Sequence, residues 1–361
     1  MSINPELFPV ISPVAAHTAR SQISVIIPTY NRVDYLSNCL NSVLSQALPK
    51  EQMQIIVVDD CSSLNKQMDI QSIIEKVGDG RIEFYRNSQN LGNAATFNVG
   101  INLAHGEWIH ILHDDDWVLP QFYSTIQKII ESHSNQVNLS IEATEIEIGA
   151  IFCRYVTADC DNNWLGMSQL HLHKAGILPN WLYTVATNNP IAPPAVIVRR
   201  KAYEYLGGFY CGFISSNSED WDMYKRIASF YDWWFEPQVL ACYRQHSQSI
   251  TNQNAKLGLR TADLRTNIEI SYDYLPLDIR DDLTAIAKRN YALLAFKRAL
   301  SYFEANNFDA GLVEIREGLK TSSEPSVVNL LFKEVLIHAI AEPLRAVIAE
   351  LLIDLTSLND L

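Results

Sequence analysis

From residue 23 to about residue 160, short apolar runs alternate with stretches in which apolar residues recur every three to four positions. Ile23–Ile27, Ile55–Val58, Ile82–Tyr85 and Trp108–Leu112 are short and rich in β-branched or aromatic side chains, which predicts buried strands. Between the first two, Leu36, Leu40, Val43 and Leu44 fall at helical spacing, with Asp34 placed to cap that helix. A second helix is predicted over Ala94–Leu103, and Pro120 suits the first turn of another running to about Ser132. Strand–helix–strand alternation implies an α/β fold, a largely parallel sheet covered on both faces.

The remainder reads differently. Residues 1–21 carry three prolines and no period, which predicts a poorly structured lead. Residues 161–250 are less regular, with strands expected at Ala195–Val198 and Val239–Tyr243 and a helix at Asp220–Ser229. After about Asn254 glycine becomes sparse and apolar residues return at helical spacing. Tyr291–Leu319 reads as a helical hairpin turning at Asn306, Asn307 and Phe308, and Val335–Leu355 is amphipathic. These helices form a small bundle packed on the preceding domain or, on a second reading, a surface for a protein partner or an oligomer.

Composition narrows the classes. A chain of 361 residues suits two or three domains, and 48% hydrophobic with 19% charged residues is ordinary for a folded protein. A net charge of -13 disfavours a nucleic-acid backbone as partner, yet permits a nucleotide if a metal ion supplies local positive charge. None of the six cysteines forms a CxxC pair, so a zinc ribbon or thioredoxin-like site is disfavoured and reduced thiols of a cytosolic protein are expected. Neither a basic start followed by an apolar run nor an apolar stretch of about 18 residues is seen. The expectation is a cytoplasmic protein without a secretory signal or transmembrane helix, with peripheral membrane contact through a partner left open.

The strongest chemical signal is His113-Asp114-Asp115-Asp116-Trp117, directly after an apolar run. Adjacent carboxylates at a strand end repel one another, and a hard divalent cation relieves that cost. Ligands of open α/β sheets bind outside the carboxyl ends of the strands, where this cluster falls. Val57-Val58-Asp59-Asp60-Cys61-Ser62-Ser63 likewise ends a strand in acids, one of which could accept from a base imide or a ribose hydroxyl. Ile27-Pro28-Thr29-Tyr30-Asn31-Arg32 offers Tyr30 for stacking and Thr29 and Asn31 for hydrogen bonds. Asn90-Leu91-Gly92-Asn93 places a glycine where a ligand could approach the backbone.

In order and spacing these segments resemble the family 2 glycosyltransferases: "VIIPTYN" at 25–31, "VVDDCSS", "NLGNAATFNVGINLAHGEWI" and "HDDDW" in the DxD position. The likeness runs to about residue 250. It implies a GT-A fold, a Rossmann-like, mostly parallel sheet flanked by helices, followed by an α-helical C-terminal domain. The implied division is a lead (1–21), a GT-A domain (22–254) with a nucleotide-binding half (22–120) and an acceptor half (121–254), and the helical domain (255–361). It implies transfer of one sugar, with inversion, from a nucleotide-sugar, uridine being the expected base, to a saccharide or lipid-linked acceptor, with Mn²⁺ or Mg²⁺ as cofactor.

The resemblance also assigns residues. Asp60 is similar to the aspartate that reads the nucleobase, with Pro28, Tyr30, Asn90 and Gly92 around the donor. Asp115 matches the metal-binding aspartate, Asp114 the neighbouring ribose or sugar contact, and Asp116 a further ligand or an acid behind it. His113 departs from the family, many of whose members carry aspartate there. Gly207-Gly208-Phe209 and Ser218-Glu219-Asp220-Trp221-Asp222 resemble "GGF…xEDxD", which makes Asp220 the general base and Glu219 its helper or an acceptor contact. Tyr243-Arg244-Gln245-His246 resembles the "YRxH" ending: His246 would bind metal or diphosphate, and Arg244 phosphate oxygens. The "QxxRW" of processive members is absent, consistent with single transfer. Trp221, Trp233 and Trp234 read as core or as sugar platforms. The rival functions are a non-catalytic scaffold presenting the helices, and a sugar-1-phosphate nucleotidyltransferase, which lacks here the glycine-rich loop it needs after the first strand.

Overall fold

The computed structural model describes residues 6–137, 147–215, 218–246 and 257–331, together with Lys333. The amphipathic stretch at 335–355 lies outside the described residues.

Four strands predicted from apolar runs form the first part of a ten-stranded sheet: β1 (Ile23–Thr29), β2 (Met53–Asp59), β3 (Ile82–Arg86) and β4 (Trp108–Ile111). They are mutually parallel in the order β3-β2-β1-β4. Nearly every residue of β1 and all of β2 are buried, as strands covered on both faces require. Side chains alternate across the sheet. Ile23, Val25 and Ile27 join one core with α1 (Leu36–Leu44), α2 (Leu64–Gly78) and α4 (Phe122–Val137), while Ile26 joins a second core with α3 (Asn93–Leu103). Two expected helix starts shift. The residue preceding α1 is Tyr35 and no side chain caps it, so Asp34 does not play that part. Pro120 lies in the turn before α4, which begins at Phe122 and runs beyond Ser132.

The rest of the sheet is mixed. The sequence contributes β5 (Trp117–Val118), β6 (Ile148–Ala158), β7 (Trp164–Met167), β8 (Gly176–Ile177), β9 (Val196–Arg199) and β10 (Asp232–Arg244). The order continues from β4 through β9, β6 and β10 to β5; β9 is antiparallel to both β4 and β6, and β10 is parallel to β6. The first four strands are parallel throughout, whereas the second half sets the parallel β6–β10 pair among antiparallel neighbours. Covering the second core are α5 (Trp181–Thr187), α6 (Arg200–Leu206) and α7 (Glu219–Phe230). Both α5 and α6 span seven residues, two turns, too short for a periodic pattern to reveal.

Helices α8 (Leu259–Ser271), α9 (Arg280–Glu304), α10 (Phe308–Thr321) and α11 (Pro325–Leu331) follow. The hairpin turns at Asn306, which has φ +57°, and Asn307 caps α10 by accepting from Ala310 N. Leu264 and Ile268 of α8 and Ala287 and Tyr291 of α9 belong to the second core of the sheet. Only beyond Tyr291 do the helices make a core of their own, around Phe296, Phe303, Ile315 and Leu319. The expected unstructured lead is packed: Phe8 and Ile11 are buried, and Gly208 N donates to Pro9 O at 2.7 Å.

Among the described residues no helix is long and apolar enough to cross a membrane.

Candidate active site

The carboxyl ends of β1 and β4 are neighbours, so the turn after β1 faces the acids after β4. Thr29 Oγ1 donates to Asp114 Oδ2 at 2.6 Å. The Arg32 Nη1 donates to Asp114 Oδ1 at 3.1 Å and also to Asp115 Oδ2. A third side comes from β10, whose pairing with β5 sets Cys242 opposite Trp117 and so lays residues 244–246 against the same turn. Arg244 N donates to Asp116 Oδ1, and its Nε to Asp115 O, both at 2.8 Å. Its guanidinium lies over the Tyr35 and Trp117 rings and donates to the Asp159 and Cys160 carbonyls, so Arg244 buttresses the turn rather than standing open to a phosphate. His246 Nε2 lies 3.0 Å from Asp115 Oδ2; an ionised carboxylate only accepts, so the imidazole donates.

Charge in this turn is unevenly held. Burial pushes the Asp114 carboxyl up to about 7, against the pull of Arg32. Burial also opposes ionisation of Asp115, but the His246 hydrogen bond and the Arg32 charge outweigh it and bring Asp115 down to about 2. Asp116 is raised well above the carboxylate range by burial and by Asp115. Its Oδ2 is buried with no hydrogen-bond partner among the described residues. One ligand atom each from His113, Asp115 and Asp116 lies within 4.8 Å of the others. Two carboxylate oxygens and an imidazole kept neutral by burial suit a divalent cation such as Mn²⁺ or Mg²⁺, and an orphaned buried carboxylate oxygen fits such a ligand. The trio gathered by geometry includes His113, the position where the chain departs from its resemblance, whereas His246 meets Asp115 as a hydrogen-bond donor.

Asp60 organises the loop after β3. Its Oδ1 accepts from Leu91 N at 2.9 Å and Asn87 Nδ2 at 2.8 Å, and its Oδ2 from Gly92 N at 2.9 Å. Asn90 Nδ2 donates to Asp60 O at 3.3 Å. Gly92 has φ +82°, a conformation that favours glycine, and open space where a side chain would stand. Asn31 ties the β1 turn to the β2 turn: its N–H donates to Ser62 Oγ and its Oδ1 accepts from Ser63 N, each at 2.8 Å. Pro28 lies in β1, half-buried, and Tyr30 beside it is 49% exposed, free to meet a planar ligand.

Glu219 and Asp220 open α7. Glu219 is buried, accepts from Ser218 N at 2.9 Å, and is pushed to about 8 by burial and by Asp220. Asp220 Oδ1 accepts from Trp221 N at 2.7 Å. Burial raises Asp220 to about 6, against the Arg260 charge and a hydrogen bond with Asn189. A carboxyl titrating there can take a proton at neutral pH. Asp222 does different work: it pairs with Arg226 at 2.9 Å, and Arg226 holds the Leu206 and Gly208 carbonyls. Trp221 and Trp233 are core residues. Trp234 is partly buried and packs edge-on to His133.

The two sides meet. Leu91 and Gly92 share a pocket with Tyr210, Cys211, Phe213 and Glu219. Asp115, Asp116 and Asp220 all bear electrostatically on Tyr243 of β10. Glu219 thus lies beside the loop that Asp60 holds, and Asp220 shares Tyr243 as a neighbour with the Asp115–Asp116 turn. Asn98 fastens α3 to the glycine turn: Phe209 N donates to its Oδ1 at 2.7 Å and its Nδ2 to Phe209 O at 2.9 Å. Gly208 passes so close to Asn98 that a Cβ there would strike the amide. Arg32 and Asn98 carried no assigned role in the sequence. Arg32 could have been found by asking what cation answers three adjacent acids; Asn98 pairs with a residue 111 positions away, and no local signal marks it.

A sheet of this order, with acids gathered beyond its carboxyl ends, defines a GT-A fold. Residues 24–152 match the family model described as glycosyl transferase family 2. It is 32% identical over 128 residues to the poly(ribitol-phosphate) beta-N-acetylglucosaminyltransferase TarS of Staphylococcus aureus, a match covering 33% of this chain and 20% of that protein. The matched stretches span only 15–20% of the length of such relatives. The fold resembles that of S. aureus TarS 1–349 in complex with UDP-GlcNAc, with a TM-score of 0.62 at 16% identity over 92% of this chain and 89% of that one. It also resembles the mannosyltransferase PcManGT of Pyrobaculum calidifontis in complex with GDP-Man and Mn²⁺, with a TM-score of 0.53 at 18% identity over 97% and 89% of the two chains.

Proposed function

We propose that this protein moves a single sugar from a nucleotide-diphosphate sugar, a UDP-sugar first, to an acceptor hydroxyl of a saccharide or lipid-linked saccharide, with inversion. The observation that carries this reading is the buried Asp114–Asp116 turn, held by Arg32 and His246, with one ligand atom each from His113, Asp115 and Asp116 gathered together and an Asp116 oxygen unpartnered among the described residues. The relatives' names and the ligands of the fold neighbours support it.

The nucleotide would lie against Gly92 and Tyr30, on the loop that Asp60 shapes through its three hydrogen bonds. His113, Asp115 and Asp116 would hold the cation, with His246 and Arg32 fixing Asp115. When bound, a divalent cation supplies charge to the departing diphosphate. Asp220 takes the acceptor proton as the acceptor oxygen attacks the anomeric carbon, and Glu219, pushed to about 8, can donate a hydrogen bond to the acceptor. Polysaccharide assembly on the cytoplasmic side of a membrane, with peripheral contact and no nucleic acid, is the setting this chemistry suits.

The test is release of nucleoside diphosphate from a panel of UDP-, GDP- and dTDP-sugars, with Mn²⁺, Mg²⁺ or chelator. Metal-dependent release from a UDP-sugar is expected. Failure with every donor and both metals would leave the scaffold reading in its place.

A further inference from the structure

Ile214, Ser215 and Ser218, which lead into Glu219–Asp220, are held by α8. Asp263, on α8, is buried, and both of its carboxylate oxygens accept main-chain amides: Ile214 N at 2.8 Å and Ser215 N at 2.6 Å, with the Ser215 hydroxyl donating as well. One turn later on the same helix face, the fully buried Asn267 donates from Nδ2 to Ser218 O at 2.7 Å. Lys225 of α7 returns the contact, its Nζ donating to Asn267 O at 3.1 Å while lying over the Trp221 ring. Arg260, one turn earlier on α8, bears on Asp220 with its charge.

Packing alone does not call for these groups. Burying a carboxylate and an amide is costly, and an apolar side chain would fill the same volume without that cost. What they supply is direction, fixing main-chain atoms on the approach to the acids that open α7.

We propose that Asp263 and Asn267 are positioning residues for the Glu219–Asp220 pair, so that the helical segment completes the active site. This rests on the transferase reading above. It assigns the C-terminal helices a part in turnover that neither the sequence pattern nor the comparisons give them.

The full chain carrying Asp263→Asn or Asn267→Ala would be compared with wild type in Mn²⁺-dependent UDP release from UDP-N-acetylglucosamine and related UDP-sugars. Donor KM, UDP affinity by calorimetry, and amide exchange by mass spectrometry would be read alongside. In Asn267→Ala the Lys225 bond survives, because it is made to the main chain. Turnover should fall roughly ten- to hundredfold in each variant, the scale of a misplaced catalytic group, with donor KM and UDP affinity within about twofold of wild type. Exchange should quicken at Ile214, Ser215 and the first turn of α7, and stay unchanged in β1 and β2. Wild-type turnover in both variants, or a loss in turnover matched by an equal loss in donor affinity, overturns this inference alone. A wild-type protein releasing no UDP overturns the transferase reading and this inference with it.

Discussion

The two halves of the site are built by different means. On the β1–β4 side the acids sit at the ends of hydrogen-bonded parallel strands, and register does the placing. Thr29 of β1 reaches Asp114 after β4, and Asp60 after β2 holds the loop after β3. On the α7 side Glu219 and Asp220 open a helix, and the chain leading to them is fastened from elsewhere: Phe209 by Asn98 on α3, and Ser215 and Ser218 by Asp263 and Asn267 on α8. Strand register is a collective property that single substitutions bend little, whereas side-chain clamps fail one at a time. Donor binding should therefore resist distant mutations better than transfer does.

The sharpest break between the halves is Asp220→Asn. Removing the base should cut turnover by about 10²–10⁴-fold while leaving UDP-sugar affinity near wild type, checked by steady-state kinetics beside calorimetry. Equal turnover would remove the base assignment. Asp115→Ala strikes the other half: Mn²⁺-dependent UDP affinity should fall by roughly a hundredfold, with metal-free affinity little changed.

Asn98→Ala tests the fastening between them. It leaves the Phe209 N–H and carbonyl without their partner and should destabilise the fold by about 2 kcal/mol, read by denaturant unfolding.

The pH dependence should separate catalysis from stability. Turnover should fall about tenfold per pH unit below 6 as Asp220 gains its proton. Stability should run the other way. Glu219 and Asp220 hold protons more tightly folded than unfolded, so the stability they contribute is present below about pH 4 and is lost as pH rises through about 6 and 8. The buried His110 and His113 pull the whole-protein Tm the other way, so the check is a variant: Asp220→Asn with the same pH dependence of Tm as wild type would contradict the burial of the pair.

The mildest probe is Tyr30→Ala, expected to weaken UDP binding about fivefold through lost stacking, with turnover at saturating donor unchanged.

The sequence alone determined the β1–β4 half of the fold and where its acids fall. A strand buried on both faces must be a continuous apolar run, a parallel strand must end near its ligand, and the acids that follow it sit within a few residues in the chain; pattern and site are therefore local and visible together. It also placed the helical hairpin, whose turn at Asn306 and Asn307 is marked by residues that tolerate left-handed backbone and cap helices. Only the tertiary structure decided which residues complete the site. The mixed order of the sheet brings β10 beside β5, and so His246 to Asp115, 131 residues away. It lays Phe8 against the Arg226 guanidinium that supports the glycine turn, and brings Asp263 to Ser215. These contacts depend on how separate elements pack. A buried Asp or Asn on an amphipathic helix carries no mark in sequence that tells a clamp from a solvated polar residue until the surface it faces is known.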